Sequence, residues 1–296
     1  MSPSPADHKK GLSLGLLGGL ALSFDIPLIR LADGDVWSVQ LLRSVCILGI
    51  TLVIWLGAAW FFNRRLVLIP GREGLLVTLL YGISSLLFFF AVYQTPTANL
   101  VFILAFNPMF SALLGWAALG EKPKSPTFLA MIVMTIGVFI IVREGLSGGH
   151  VAGDISAIFA TLTISLAIVF SRASGKDMAF TGPVSAVVPM IVSLYFVIQQ
   201  GGLHVEAPSW IVFNGLCVNW TAFYCLSRAP KFVSGAEVAM FYLLETVFAP
   251  IWVWMIFNDV PSNQALVGGG ILLAALIAHI SWELWQDRRP RTADGV

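Results

Sequence analysis

Ten runs of roughly 20 apolar residues, joined by short connections, fill almost the whole of this 296-residue chain. A run of that length crosses the hydrocarbon core of a bilayer as a single helix. The ends of each run are defined to within a few residues. The predicted spans are 11–31, 38–60, 74–93, 97–119, 126–143, 154–172, 181–199, 209–227, 234–257 and 264–285. The sequence therefore predicts an all-α integral membrane protein with ten transmembrane helices.

Composition excludes a soluble fold. The chain is 57% hydrophobic and 11% charged, whereas soluble domains carry roughly a quarter charged residues. The three cysteines all fall inside apolar runs and the four histidines lie on separate segments, so neither a disulfide framework nor a metal site is predicted. No nucleotide-binding loop is present. We therefore predict no cofactor, no nucleic acid partner and no ATP hydrolysis by this chain, with the lipid bilayer as its surroundings.

The N-terminus allows two interpretations. A polar arm, residues 1–10, ends in His8, Lys9 and Lys10 and precedes the first apolar run. A basic start, an apolar middle and a small-residue site at 21–23 also fit a signal peptide. With so many further spans, the first run is better interpreted as a retained helix.

Lysine and arginine predict the orientation, because they are retained on the cytoplasmic side of membranes. With the N-terminus inside, the inner connections hold nearly all of the 17 lysines and arginines. Arg30 and Arg143 alone fall on the outer side, and Arg43 lies within the second span. We therefore predict a multi-pass protein of the bacterial inner (cytoplasmic) membrane with both termini in the cytoplasm.

The chain also contains an internal repeat. Residues 98–123 align without a gap with 236–261, and each copy is a long apolar run closed by an acid, one residue and a proline. The repeat predicts two five-helix units, 11–145 and 146–285, followed by a cytoplasmic tail at 286–296. Because five is odd, the second unit enters the membrane upside down, and such inverted repeats are typical of transporters.

The arrangement resembles the drug/metabolite transporter superfamily in its ten-helix, EamA-type form. Three motifs carry the likeness: Leu42-Arg43 early in the second span, Asn107-Pro108 in the fourth, and Leu119-Gly120-Glu121 at the end of the fourth. In the second copy Thr246 stands where the proline would be, and Asn258-Asp259 replace Gly-Glu. Within the superfamily the chain is most similar to bacterial aromatic amino acid exporters of the YddG type.

That resemblance implies a basket of helices around a central cavity lined by spans 1, 3, 4, 6, 8 and 9. It implies a secondary transporter that is not an enzyme and that exports small amphipathic metabolites, aromatic or apolar amino acids above all, by alternating access. A broader drug, sugar or metabolite carrier of the same superfamily is the alternative. A membrane-embedded enzyme is a further alternative, but the sequence offers it no metal or nucleophile constellation. A monomer and a homodimer both remain open.

Ionisable residues inside the spans are candidates for gating or coupling, since each costs a few kcal/mol in the bilayer. Asp25 and Arg43 are expected to pair, either as a gate, as a contact for a substrate carboxylate, or as a purely structural pair. Glu245 is the deepest acid, and Glu237 lies nearer the start of the same span. Either acid can attract a substrate ammonium group or carry a proton, or Glu245 can belong to a structural polar network.

Substrate-binding candidates come from the repeat and from the aromatic residues. Asn107 aligns with Glu245 across the two copies, so both are expected at equivalent depth near the midplane. Asn99 lies two helical turns before Asn107 on the same span. Aromatic side chains suit flat or apolar substrates, although most aromatics in such a chain face lipid or a neighbouring helix. The aromatic candidates are Tyr81, Phe102, Phe106, Trp220, Tyr224 and Tyr242.

Overall fold

A computed structural model describes residues 5–61, 66–120, 129–130, 132–137, 139–140, 143, 149–233 and 235–287. Within these ranges the chain is helical throughout, apart from short connections. The α-helices are α1 (Pro5–Leu22), α2 (Asp25–Leu31), α3 (Val36–Phe61), α4 (Gly71–Gln94), α5 (Thr97–Leu104), α6 (Asn107–Leu119), α7 (Val151–Ser174), α8 (Thr181–Val184), α9 (Val187–Gln199), α10 (Pro208–Phe213), α11 (Trp220–Arg228), α12 (Gly235–Phe257) and α13 (Asn263–Asp287). A π-helix, Asn214–Asn219, connects α10 to α11, and a 3₁₀ turn, Ala229–Lys231, follows α11.

Six helical segments in the described part of the chain are long and apolar enough to cross a membrane. They are Asp7–Leu31, Val36–Phe61, Gly71–Gln94, Thr97–Ala118, Val151–Ser174 and Thr181–Gln199. Shorter apolar helices cover Phe241–Phe257 and Asn263–Ala275. The predicted all-α membrane protein is thus confirmed, whereas the ten-helix inverted repeat stays a prediction. The fifth predicted span, 126–143, and Glu121 lie largely or wholly outside the described residues.

Three of the spans are broken near a proline. The first span turns at Ser23 and Phe24 before α2, which contains Pro27, and the fourth breaks between α5 and α6, where Pro108 occupies the first turn. The seventh breaks between α8 and α9 two residues before Pro189. Proline lacks an N–H donor and clashes with the preceding helical turn, so a helix bends or restarts there. Because of these breaks, α2 begins at Asp25 and α6 begins at Asn107. Both residues lie inside the protein.

Helix α1 packs closely against α11 and α12 through its glycines. A Cβ atom on Gly19 would lie 2.3 Å from the carbonyl oxygen of Phe241, and one on Gly18 would lie 2.8 Å from Leu226. Small residues allow helix backbones to approach in this way. The glycine face of the first span is therefore used for packing within the chain.

The connections form two ends, which we name after one residue of each. At the His150 end, Gly34 and Val205 form an antiparallel bridge, and the Glu206 N–H donates to the Asp33 carbonyl at 2.8 Å. At the same end Arg30 pairs with Asp259 at 2.8 Å. At the opposite, Lys176 end, Lys176 pairs with Glu73 at 2.7 Å. Sequence reasoning predicts the His150 end outside and the Lys176 end in the cytoplasm.

Candidate functional site

Between the two ends lies a central cavity of about 50 Å³. Helices of the first, third, fourth, sixth, eighth and ninth spans contribute to it, as the family resemblance implied, and the second span adds one residue. Its apolar lining is Leu22, Phe88, Leu104, Ile164, Phe223 and Leu226. Its polar lining is Asp25, Arg43, Ser84, Ser85, Asn107, Tyr242 and Glu245. Such a volume holds a few water molecules.

A buried ion pair forms one wall of the cavity. Arg43 donates from Nη2 to Oδ2 of Asp25 at 2.8 Å, and the two side chains are 2% and 1% exposed. Asn214 donates from Nδ2 to the other Asp25 oxygen at 2.7 Å. The predicted pairing of Asp25 with Arg43 is confirmed, and both carboxylate oxygens are satisfied. Such a pair is stable in a dry interior only when its remaining polar atoms find partners.

Asn214 was not anticipated from the sequence, although an amide within an apolar run is a signal of the same kind as Asn107. Its position depends on the π-helix, which widens the turn and re-aims side chains. Gly215 then allows this segment to approach α3, since a Cβ there would lie 2.9 Å from the Arg43 carbonyl oxygen. The close approach brings Asn214 within reach of Asp25.

Glu245 supplies a second acid to the same cavity. Its side chain is 4% exposed, and its Oε1 has no hydrogen-bond partner among the described residues. Both Asp25 and Arg43 lie within electrostatic range of it. The cavity therefore holds two carboxyl groups and one guanidinium group, an excess of acid that favours a positively charged ligand group.

Asn107 and Glu245, which align across the repeat, line this one cavity. Oδ1 of Asn107 accepts a hydrogen bond from Ser165 at 2.6 Å, while its Nδ2 is buried without an acceptor in the described structure. The structure thus brings together the two residues that the repeat singled out. Their role in binding substrate stays a prediction.

Tyr242 lines the cavity, and the hydroxyl groups of Tyr81 and Ser227 lie close to its own. Tyr81 itself packs with Val77, Ala167 and Met178 behind the cavity wall. All three hydroxyls lack a well-aligned hydrogen bond within the described ranges. This cluster gives the wall beside Glu245 some polar character.

Besides Tyr81, five of the predicted binding residues do not line the central cavity. Phe102 packs against Ala98 and Ala265, with its ring against Gly269 of α13. Phe106 stacks edge-on with Phe110 in a separate apolar cluster. Asn99 lies in a cleft near Pro250 and Pro261. Trp220 and Tyr224 stack on each other, with their ring centroids 5.1 Å apart. The side chain of Glu237, a gating candidate, lies outside the described residues.

A larger cleft of about 640 Å³ opens at the His150 end. Its polar walls include Arg30, Tyr93, His150 and Asp259. An apolar cluster that contains Ile26 of α2 and Leu100, Val101 and Ile103 of α5 separates it from the central cavity. The three α5 residues lie between Thr97 in the cleft and Leu104 in the cavity. The cleft therefore leads toward the central cavity but stops at an apolar layer.

Within the described ranges, no group of three or more His, Cys, Asp or Glu side chains is placed to hold a metal ion. The acids and histidines of those ranges are instead dispersed over the cavity, the cleft and the two ends.

Comparison with known proteins agrees with this architecture. Residues 9–143 match the profile of the EamA-like transporter family. The pseudopaline exporter CntI of Pseudomonas aeruginosa is 22% identical over 280 residues, covering 91% of this chain and 95% of the exporter. Human solute carrier family 35 member G1 is 25% identical over 217 residues, covering 66% of this chain and 58% of the carrier. The profile match covers less than half of this chain, and both relatives are transport proteins by name.

The fold has a counterpart among solved structures. A crystal structure of a protein superposes with a TM-score of 0.67 at 17% identity, and the match covers 96% of this chain and 100% of that one. At this identity the likeness concerns the fold alone.

Proposed function

We propose that this protein is a secondary transporter that exports small amphipathic metabolites, and aromatic or apolar amino acids in particular, by alternating access. The observation that carries the proposal is the chemistry of the central cavity, which places Glu245, Asn107 and the Asp25–Arg43 pair among apolar and aromatic side chains. Ionisable groups in a membrane interior are costly and mark substrate or proton pathways.

Each part of an amino acid has a counterpart in this cavity. The Glu245 carboxylate can hold the substrate ammonium group, because an opposite charge in a low-dielectric site is strongly attractive. The rings of Phe88 and Phe223 and the body of Tyr242 provide surface for an aromatic side chain. The relative from Pseudomonas aeruginosa is named as an exporter of pseudopaline, which fits export of an organic metabolite.

Alternating access is supported by the closed cavity. A volume of about 50 Å³ between a large cleft at one end and ion pairs at the other requires opening at each end in turn. We propose that the His150 end faces outward and that two inverted five-helix units, 11–145 and 146–285, rock about the cavity. A cysteine at position 150 that reacts with an impermeant reagent only from the cytoplasmic side would contradict this orientation.

A broader carrier of drugs, sugars or other metabolites is the second candidate, and the match to a solute carrier of family 35 favours considering it. Protection of growth against toxic compounds distinguishes the amino acid exporter from the broader carrier. Bacterial cells that express the protein should tolerate toxic aromatic amino acid analogues and show no protection against unrelated drugs or sugars. Protection against unrelated compounds without any against amino acid analogues would select the broader carrier.

A further inference from the structure

We propose that the side of the Arg43 guanidinium group turned away from Asp25 is a carboxylate subsite of the transport cavity. This proposal rests on the proposed function and names the substrate class as metabolites with a free carboxylate beside an ammonium group, that is, zwitterions. It starts from the hydrogen-bond donors that Arg43 leaves unused.

Arg43 has surplus donors. Arginine carries five N–H donors and no acceptor, and here a hydrogen bond from Nη2 to Asp25 is the side-chain bond that the guanidinium makes. Nε and Nη1 are buried without an acceptor among the described residues, although the side chain is 2% exposed. A buried charged donor without a partner costs more than a neutral one. These atoms therefore call for a polar or anionic partner.

Arg43 also lines a small pocket whose apolar lining includes Ile47, Pro189 and Phe223. It measures about 10 Å³, and its polar lining besides Arg43 is Gln40, Ser44, Ser85 and Ser185. Arg43, Ser85 and Phe223 line both this pocket and the central cavity. Arg43 is therefore common to the two spaces, and the proposal is that a ligand in the central cavity reaches the side of its guanidinium group turned away from Asp25.

Hydroxyl and amide groups complete the pocket as an anion site. The Gln40 amide approaches the Ser85 hydroxyl at 3.4 Å, while its Oε1 has no partner in the described part of the chain. Serine hydroxyls can rotate to donate to a carboxylate, and arginine donates to carboxylates in a planar geometry. The hydroxyls of Ser44 and Ser185 already donate to the carbonyl oxygens of Gln40 and Gly182. The pocket thus offers one permanent charge and the hydroxyl of Ser85.

The arrangement of charge favours a zwitterion over a simple anion or amine. Asp25 is fully engaged by Arg43 and Asn214, so it holds the guanidinium in place without competing for its free side. Glu245 remains available for an ammonium group in the same cavity. A ligand that carries both groups satisfies both and leaves the net charge of the cavity unchanged, whereas an amine without a carboxylate leaves the Arg43 donors unpaired.

Discrimination by such a site is expected to be strong, because a site built to bond a polar group rejects the analogue that lacks it. The test uses ligand-induced thermal stabilisation of the purified protein in detergent, with phenylalanine, phenylalaninamide, phenethylamine and hydrocinnamate as probes. We expect phenylalanine to bind about tenfold or more tightly than the two probes without a carboxylate. Arg43→Lys, which keeps the charge opposite Asp25, should abolish that preference.

Serine variants provide a milder test with a matched control. Ser85→Ala removes a hydroxyl that lines both spaces and should weaken phenylalanine binding several-fold while leaving phenethylamine binding unchanged. Ser193→Ala removes a buried hydroxyl of α9 that lines neither space and should change nothing. Equal binding of phenylalanine and its amide, or no stabilisation by any probe, would overturn the carboxylate subsite.

Binding and transport are read separately, so the two proposals can fail independently. If carboxylate probes stabilise the wild-type protein through Arg43 but vesicles show no amino acid flux, the subsite stands and the proposed function fails. In the opposite outcome, labelled phenylalanine is transported while Arg43→Lys binds the probes like the wild-type protein and phenylalaninamide binds as tightly as phenylalanine. In that case the proposed function stands and the subsite fails.

Discussion

Nη2 of Arg43 lies 2.8 Å from Oδ2 of Asp25, with both side chains almost completely buried at the wall of the central cavity. Asp25 belongs to the first span and Arg43 to the second, and Asn214 fixes the pair from the eighth span. The ion pair therefore lies within the first predicted five-helix unit, and the Asn214 hydrogen bond joins it to the second unit at the depth of the cavity. Its integrity is expected to govern both stability and binding.

Removing one partner of the ion pair should lower the free energy of unfolding. Arg43→Gln leaves the Asp25 carboxylate buried without its counter-charge, and we expect a loss of about 3–5 kcal/mol in the free energy of unfolding. Asp25→Asn should act in the same direction. The double variant Asp25→Asn/Arg43→Gln removes both charges and should cost less than the two single changes together, as measured by unfolding in detergent. Strict additivity would contradict the pairing.

Glu245→Gln tests the acid of the cavity. Glutamine preserves shape but removes the negative charge, so binding of an ammonium group should weaken and flux of an amino acid should fall about tenfold or more. If Glu245 also carries a proton, the pH dependence of flux between about pH 5 and about pH 9 should flatten. Glu73→Gln, an exposed acid at the Lys176 end, is the matched control. A Glu245→Gln variant that transports normally at every pH would exclude both roles.

Gly19→Ala tests the packing of α1 on α12. A Cβ at this position would lie 2.3 Å from the backbone carbonyl oxygen of Phe241, and a backbone atom cannot rotate away. We expect a loss of about 1–3 kcal/mol in unfolding free energy. Gly57→Ala is the matched control, because nothing lies within 4 Å of a Cβ there, and it should be neutral or stabilise by up to about 1 kcal/mol through helix propensity. Equal effects of the two substitutions would contradict the described packing.

Asp35 makes the stability of the His150 end depend on pH. Burial acts to raise the pKa of Asp35, but hydrogen bonds from the Ser38 and Gln200 side chains and from the Ser38 and Trp37 N–H groups lower it below its ordinary value. A carboxyl group whose folded-state pKa is depressed stabilises the fold above its unfolded pKa of about 3.9, and this contribution is lost as pH falls through the folded-state value.

The measurement is the melting temperature of Asp35→Ala relative to the wild-type protein. At pH 7 the variant should lose about 1 kcal/mol, because Asp35 caps the start of α3 through the N–H groups of Trp37 and Ser38. Near about pH 3 the difference should shrink. Glu206→Ala, in a loop paired with the same segment, should show no such dependence. A difference that grows on acidification would contradict the sign of the shift.

Hydrophobic run length predicted the helices well, because a bilayer imposes both length and apolar character on a span. Predicted spans 38–60 and 154–172 correspond to Val36–Phe61 and Val151–Ser174. Asp25, Arg43, Asn107 and Glu245 were identifiable for a related reason: polar groups in apolar runs are costly and rare. All four line the cavity.

The sequence could not predict which face each aromatic side chain presents. Phe102 and Tyr242 are both aromatic residues of cavity-forming spans, yet Phe102 faces α13 and Tyr242 faces the cavity. Helix rotation depends on packing against neighbours, and a uniformly apolar span carries no periodicity to reveal it. The π-helix could not be predicted from the sequence either. The single inserted residue that changes the direction of the Asn214 side chain does not alter the composition of the span.

The central claim is that an amino acid crosses the membrane through the cavity between Asn107 and Glu245. Counterflow of labelled phenylalanine tests it most directly, in vesicles that contain the wild-type protein or Asn107→Leu. This variant removes the cavity amide but leaves Ser165 bonded to the Thr161 carbonyl oxygen. We expect transient accumulation of label with the wild-type protein and at least about tenfold less with the variant. Absence of protein-dependent accumulation for every amino acid tested, or full activity of Asn107→Leu, would contradict the claim.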